Sequence, residues 1–527
     1  MRRVAAVLIG ILLVAFQPAA AQQNQDQDKD KKQAADKKPG DKPAAEPEKK
    51  EPPAAKKDDE EKPVVTKHQI AMNGKVLKYT VTAGMMPIKN ADGEVEARMF
   101  YMAYVLDQPA GASRAQRPLM FSFNGGPGSS SVWLHLGVVG PKRVKLLPDG
   151  TMTAPPYQLV DNDYTWLDQT DLVFIDPVGT GFSRPSKKDL GKKFWGLKGD
   201  IESVGEFIRM YLTRNSRWES PLFLVGESYG TMRAAGLAGY LIDRGIAFNG
   251  IVLVSSTLQF LTIDFTPVND WPYILYLPTY TATAWYHKKL GPEFKDLPTA
   301  LRAAEEWARG PYLQALAKGD SLSPQERRDV VANLARFTGL SPTYVENSNL
   351  RIEHVHFAKE LLRDQGMTVG RLDSRFKGKD QNRAGEFFEY DPSYSNINPP
   401  FTAAFNQYVR AELGYESDTY YNILGGIGDK WEWGDAGQGS PQTADALREA
   451  FVKNPYMKVF VASGYYDLAT PYFATVYTLD HMGLDGAAKA NLSHDEFEAG
   501  HMMYIHQDSM VKLKKDVGEF IAGALKK

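Results

Sequence analysis

Hydrophobic and polar positions along the chain fall into three regimes. In the first, residues 64–82 straddle Asn73-Gly74, and residues 97–106 follow a second turn signal at Asp92-Gly93. An Asn-Gly pair takes the backbone of a type I′ turn with little strain, so this stretch predicts an antiparallel edge. The second regime consists of apolar runs of strand length, each closed by a Gly- or Pro-rich turn: residues 119–123, 172–175, 222–225, 251–254 and 459–461. Helical periods lie between them, as in Ile201, Val204, Ile208, Tyr211 and Leu212, followed by the small-residue stretch 234–241. Alternation of this kind predicts an α/β fold with a mainly parallel, helix-flanked sheet. In the third regime, residues 257–457, the rhythm breaks. Helix candidates at 301–316, 324–337 and 354–364 stand among aromatic-rich turns, and the stretch reads as a helical cap inserted between a first core part, 64–256, and a second, 458–527.

The first 63 residues differ from all of this. Arg2 and Arg3, an apolar run at 4–16 and Pro18-Ala19-Ala20-Ala21 have the form of a signal peptide spanning 1–21, with cleavage after Ala21. The run falls short of the roughly 20 residues that span a bilayer, so an exported protein, periplasmic or extracellular, without stable membrane insertion after cleavage is expected. Residues 22–63 contain no aromatic residue and no Val, Ile, Leu or Met, but 11 Lys and 12 Asp or Glu. Such a segment lacks the apolar area to offset the entropy of ordering and is expected to be a disordered linker.

Composition removes several classes of chemistry. The chain has 62 Lys and Arg against 64 Asp and Glu, a formal net charge of −2, which argues against a nucleic-acid partner bound through an overall basic surface. There is no Cys, so disulfides, thiolate metal sites and Cys nucleophiles are excluded and the chemistry must rest on oxygen and nitrogen.

One motif then stands out. Gly226-Glu227-Ser228-Tyr229-Gly230 is a G-x-S-x-G directly after the apolar run 222–225 and directly before a helical period. A nucleophile elbow requires this context, because the tight turn lifts the Ser228 hydroxyl above the sheet at a helix N-terminus. The competing reading is a Ser N-cap in an ordinary strand-to-helix turn. A serine hydroxyl needs a base and a group to orient that base, and in this fold they follow in the order Ser, acid, His. Asp467, after the strand-like 458–466, and His501, after Ala499-Gly500, occupy those places. His494 and His506 are the rivals to His501, read as a strand residue and a helix-start residue; Asp480, the rival to Asp467, falls on a helix. An oxyanion hole needs two N–H groups. Tyr229 supplies one by the geometry of the elbow, and the Gly-rich loop Asn124-Gly125-Gly126-Pro127-Gly128 is placed to supply the other. A phosphate loop is disfavoured, since neither G-K-[ST] nor G-x-G-x-x-G is present.

FNGGPGSSS, TWLDQTDLVFIDPVGTGFSRP, GESYG, SGYYDLATP and EAGHM, in this order, resemble the serine carboxypeptidase family of α/β-hydrolase peptidases. The resemblance implies Ser228, Asp467 and His501 as the triad and the Gly126 and Tyr229 N–H groups as the oxyanion hole. It also implies that Asn124, the Gly125 N–H and Glu227 hold the free C-terminal carboxylate of a peptide substrate, with no metal or cofactor. Four positions depart from the family pattern: Ser122 stands for its Trp, Ser129 and Thr470 for Cys, and Val138 for a Glu that assists carboxylate binding. A carboxypeptidase acting through a Ser acyl-enzyme is therefore expected. The alternatives are an esterase or acyltransferase on the same triad and, from another class, an envelope-binding protein with a decayed hydrolase fold. Trp271, Tyr273, Tyr276, Tyr280, Trp285 and Tyr286 are candidates for an acceptor groove or, more simply, for the core of the cap.

Overall fold

The computed structural model describes residues 61–526 except 110, 112 and 434–439; the signal-peptide reading and the linker reading up to residue 60 lie outside the described residues. Strands β1 (Val64–Met72), β2 (Lys75–Lys89) and β3 (Val95–Leu106) form an antiparallel meander. The first turn has Asn73 and Gly74 at φ 49° and 76°, the left-handed pair that a type I′ turn requires.

Beyond a two-residue strand, Arg184–Pro185, that pairs with β3, six longer strands extend the same sheet: β4 (Leu119–Phe123), β5 (Asp171–Ile175), β6 (Leu222–Ser228), β7 (Gly250–Ser256), β8 (Lys458–Gly464) and β9 (Leu492–Phe497). They are mutually parallel, and the path through the sheet is β1-β2-β3-β5-β4-β6-β7-β8-β9. β6 runs past the apolar run 222–225 because the elbow still pairs with β7, Glu227 opposite Val254 and Ser228 opposite Ser256.

The period of two sorts the sheet's side chains into two cores. Phe121, Val173, Leu224, Leu253 and Val461 face α1 (Leu197–Arg214), α2 (Tyr229–Ile242) and a later helix at Ala444–Lys453. Met120, Phe174, Val225, Val254 and Phe460 face the other way, toward Leu513, Val517 and Ile521 of the C-terminal helix Gln507–Ala524. A sheet covered on both faces leaves strand ends as the place where polar groups meet solvent.

Between β7 and β8 the chain builds a third core of its own. Its central helix, α3 (Trp271–Tyr286), stands where aromatic-rich turns are expected from the sequence. Burial all round the helix erases the amphipathic period, and Pro278 inside it reads as a breaker. Tyr276 and Tyr280 are buried in this core, whereas Tyr286 is exposed. The stretch 301–316, expected as one helix, is two: α4 (Leu297–Trp307) and α5 (Leu313–Lys318), separated by a π-turn at Ala308–Tyr312 that contains Pro311. Helix α6 (Pro324–Thr338) starts with a Ser323/Glu326 capping box and stops at Gly339 in the left-handed region. Helix α7 (His354–Glu360) ends earlier than 364, and its chain continues as a 3₁₀ turn at Arg363–Gln365. No helix among the described residues is long and apolar enough to cross a membrane.

Candidate active site

Ser228 closes β6 and caps α2 with φ 60° and ψ −132°, a backbone that a side-chain-bearing residue adopts only under strain. The flanking glycines permit it: a Cβ on Gly226 would lie 2.2 Å from the Gly230 carbonyl oxygen. Tyr229 begins α2, so its N–H is one of the first-turn donors without an intrahelical acceptor. The Gly-rich loop after β4 is pressed against this donor, since a Cβ on Gly125 would sit 2.5 Å from Tyr229 N and 2.6 Å from Gly230 N. The Gly-rich loop is thereby held at Gly125 against the head of α2, where the free N–H groups of a helix start favour an anion.

Asp467 lies three residues beyond the end of β8, in a loop rather than on the strand. Its Oδ1 accepts from Ala469 N at 2.7 Å and Thr470 N at 3.0 Å. Its Oδ2 lies 2.7 Å from His501 Nδ1 and accepts from Thr470 Oγ at 2.7 Å. With Nδ1–H committed to Asp467, Nε2 is the basic nitrogen of the ring. Ser255, at the end of β7 beside the residue paired with Ser228, donates from Oγ to the His501 carbonyl at 2.6 Å. Thr470 Oγ lies 3.0 Å from the Ser255 carbonyl. Burial alone would lower the His501 pKa, but the Asp467 carboxylate, its hydrogen bond and Glu227 outweigh burial and raise it.

The rivals are elsewhere. His494 is a β9 residue whose Nε2 meets Ser463 Oγ at 3.1 Å, and burial takes its pKa down to about 4. His506 precedes the C-terminal helix, and Asp480 ends the helix Tyr472–Asp480.

On the other flank of Ser228, Glu227 is buried and accepts from Tyr504 Oη at 2.5 Å. Burial pushes its pKa up to about 7, against the opposing pull of His501, the Tyr504 hydrogen bond and the nearby Asn124 amide. Asn124 Oδ1 accepts from Leu134 N at 3.1 Å, which fixes the amide so that its NH2 end is presented; Nδ2 is buried and makes no hydrogen bond of good geometry with any described residue. Ser122 Oγ is likewise buried without a partner, and Val138 is fully buried among apolar side chains.

A buried network unannounced by any motif supports both loops. Arg233 Nε donates to Asp200 Oδ2 at 2.7 Å, Arg233 Nη1 to the Asn124 carbonyl at 2.6 Å, and Tyr229 Oη to Asp200 Oδ2 at 2.9 Å. Tyr504 and Ser255 were equally hidden in the sequence, because nothing local distinguishes them from other hydroxyl residues, and Thr470 was legible only as a departure from a Cys, not as a partner of Asp467. Among the described residues no group of three or more His, Asp or Glu side chains converges as metal ligands would.

Residues 73–255 match the family model described as serine carboxypeptidase. Over this stretch, about a third of its length, the chain is similar to serine carboxypeptidases. Serine carboxypeptidase-like 5 of Arabidopsis thaliana is 31% identical over 142 residues, 26% of this chain and 30% of that protein. The retinoid-inducible serine carboxypeptidase of Rattus norvegicus is 29% identical over 177 residues, 31% of this chain and 35% of that protein. These matches span about a third of the length of the curated relatives, and the family model ends at residue 255, before the cap, Asp467 and His501. A prohormone-processing carboxypeptidase of Saccharomyces cerevisiae shares the α/β-hydrolase fold, with a TM-score of 0.53, 17% identity and coverage of 84% of this chain and 91% of that one. In this chain the position of one expected Cys is taken by Thr470, whose hydroxyl serves Asp467, and that of another by Ser129, whose Oγ accepts from Trp133 Nε1 at 2.9 Å.

Proposed function

We propose that this protein is an exported serine carboxypeptidase that releases C-terminal residues from peptides through an acyl-enzyme. The observation that carries the reading is the pairing of two devices around one strained serine: a His501–Asp467 couple on one side and a buried Glu227–Asn124 pair on the other. Ser228 Oγ attacks the carbonyl of the last peptide bond while His501 Nε2 takes its proton. The Gly126 and Tyr229 N–H groups receive the oxyanion. His501 returns the proton to the leaving amine, and water then attacks the ester with His501 again as base. Asp467 orients the imidazole and balances the imidazolium.

The same geometry favours a free C-terminus over a blocked one. A Glu with its pKa near 7 is neutral in mildly acid solution and donates to a carboxylate, as does the Asn124 NH2 beside it. The departure at Val138 removes a further donor and supports the second reading, an esterase or acyltransferase on the same triad. Export rests on the form of residues 1–21.

The test is mass spectrometry of the products from a random peptide pool. Stepwise loss of single C-terminal residues supports the carboxypeptidase reading; turnover of esters without it supports the alternative, and no fluorophosphonate labelling of Ser228 would leave only a binding protein.

A further inference from the structure

Two arginines in one short segment of the cap meet opposite fates. Arg375 makes a fork on Asp373, Nε to Oδ1 at 2.9 Å and Nη2 to Oδ2 at 2.6 Å. Arg371 is partly buried, and its guanidinium has no hydrogen bond or ion pair with any described residue. The carboxylates beside it are already engaged. Asp373 also accepts from Gly500 N at 3.2 Å, and Asp391 accepts backbone N–H groups of Arg371 at 3.1 Å, Leu372 at 3.3 Å and Ser393 at 2.9 Å.

The backbone here is pinned to the triad. Leu468 N, next to Asp467, donates to the Arg371 carbonyl at 3.1 Å, and His501 N donates to the Leu372 carbonyl at 2.6 Å. The Arg371 charge lowers the pKa values of His501, of Tyr276 of α3 and of His354 of α7, consistent with the backbone ties that hold this segment between the triad and the cap. His354 Nδ1 is buried there without a hydrogen-bond partner. A cation held partly out of water with no counter-charge is unfavourable, and an anion brought by the substrate relieves it.

Topology says which part of the substrate meets it. Asn124 and Gly125 follow β4 on one flank of β6, whereas Arg371 is held by the loops after β8 and β9 on the other flank. Ser228 lies between. A peptide whose terminal carboxylate is at Asn124 and Glu227 extends its acyl side toward Arg371. We propose that Arg371 is a specificity-determining residue that pairs with an acidic side chain on the acyl side of the cleaved bond, giving a preference for peptides with Glu or Asp as the penultimate residue. This rests on the carboxypeptidase reading above.

The experiment compares kcat/KM for blocked peptides that share a last residue and carry Glu, Gln or Lys before it. The full chain should favour Glu over Gln by about tenfold, as one charge-assisted contact supplies, with the ratio falling as salt is raised. In Arg371→Gln the Glu-to-Gln ratio should fall to near one, Arg371→Lys should restore part of it, and Arg371→Glu should turn the preference toward Lys. A ratio near one in the unmutated protein, or the same ratio in Arg371→Gln, would overturn the proposal. So would loss in Arg371→Gln of preference for free acid over amide with the Glu-to-Gln ratio intact, which would put the terminal carboxylate on Arg371. If the variants do not fold, the salt dependence of the unmutated protein's ratio decides: independence of salt rejects the pairing. Failure to release C-terminal residues from any peptide, neutral ones included, is the separate failure of the carboxypeptidase reading and removes this inference with it.

Discussion

The two flanks of Ser228 are built on opposite principles. On the Asp467–His501 flank each carboxylate oxygen has two partners, and both backbone loops are tied to Ser255 and to the cap. On the Glu227–Asn124 flank an amide nitrogen and a serine hydroxyl are buried without a hydrogen bond of good geometry to any described residue, and a carboxyl group sits at a pKa of about 7. Buried polar groups are nearly always paired, so a cluster of orphans beside a nucleophile marks a place where a ligand completes the set. The satisfied flank holds its geometry with or without substrate, which proton transfer requires. The unsatisfied flank is held in readiness for a charged group that comes and goes.

The largest effect that would break this contrast is removal of the group between the flanks. Ser228→Ala should lower kcat by at least about 10³-fold for peptides and esters alike, with little change in thermal midpoint, because losing a half-buried hydroxyl at the elbow leaves no sizeable cavity. Retention of more than about a tenth of the activity in steady-state assays would end the triad assignment.

Next comes the Glu227 flank alone. Only neutral Glu227 donates to a carboxylate, so KM for free acids should rise about tenfold per pH unit above its pKa, while KM for esters stays flat. Glu227→Gln is neutral throughout and should abolish that rise. His501 gives the opposite limb: its raised pKa means that kcat for both substrate types falls as pH drops through a value above its usual 6.5. An unchanged KM profile in Glu227→Gln would reduce Glu227 to a structural role.

Thr470→Val tests the satisfied flank. It removes one hydrogen bond to Asp467 without opening a cavity, and kcat for peptides and esters should fall together by about tenfold. A change confined to free acids would show that the flanks are not separable.

Smaller still is Tyr504→Phe. The Tyr504 hydroxyl stabilises the Glu227 carboxylate, so its loss should raise the Glu227 pKa and move the KM rise to higher pH, by about a unit or less. A shift to lower pH in the KM profile would contradict the hydrogen bond. The smallest expected effect is none: a chain without residues 1–63 should keep its activity and thermal midpoint, since residues 22–63 bring no aromatic or branched aliphatic side chain to a core. A midpoint lowered by ten degrees or more in calorimetry would refute this.

What the sequence determined was everything set by short spacing. Continuous apolar runs of strand length closed by Gly- or Pro-rich turns specify strands whose C-terminal ends must turn sharply, and G-x-S-x-G between a strand and a helix specifies the elbow, since only glycines tolerate the close approach of Gly226 to the Gly230 carbonyl. The antiparallel edge was legible from Asn73-Gly74 for the same local reason. What the tertiary structure alone decided was every relation between residues far apart in the chain. The cap's central helix has no amphipathic signal because it is buried on all sides, and Pro278 disguises it further. Arg233, Asp200, Thr470 and Tyr504 look like any other residues of their kind until β4, β6, β8 and β9 come to lie side by side and bring them onto one another. Burial is a property of the whole fold, and it is burial that raises Glu227 to about 7 and leaves the Asn124 amide waiting; neither follows from the order of residues along a single strand.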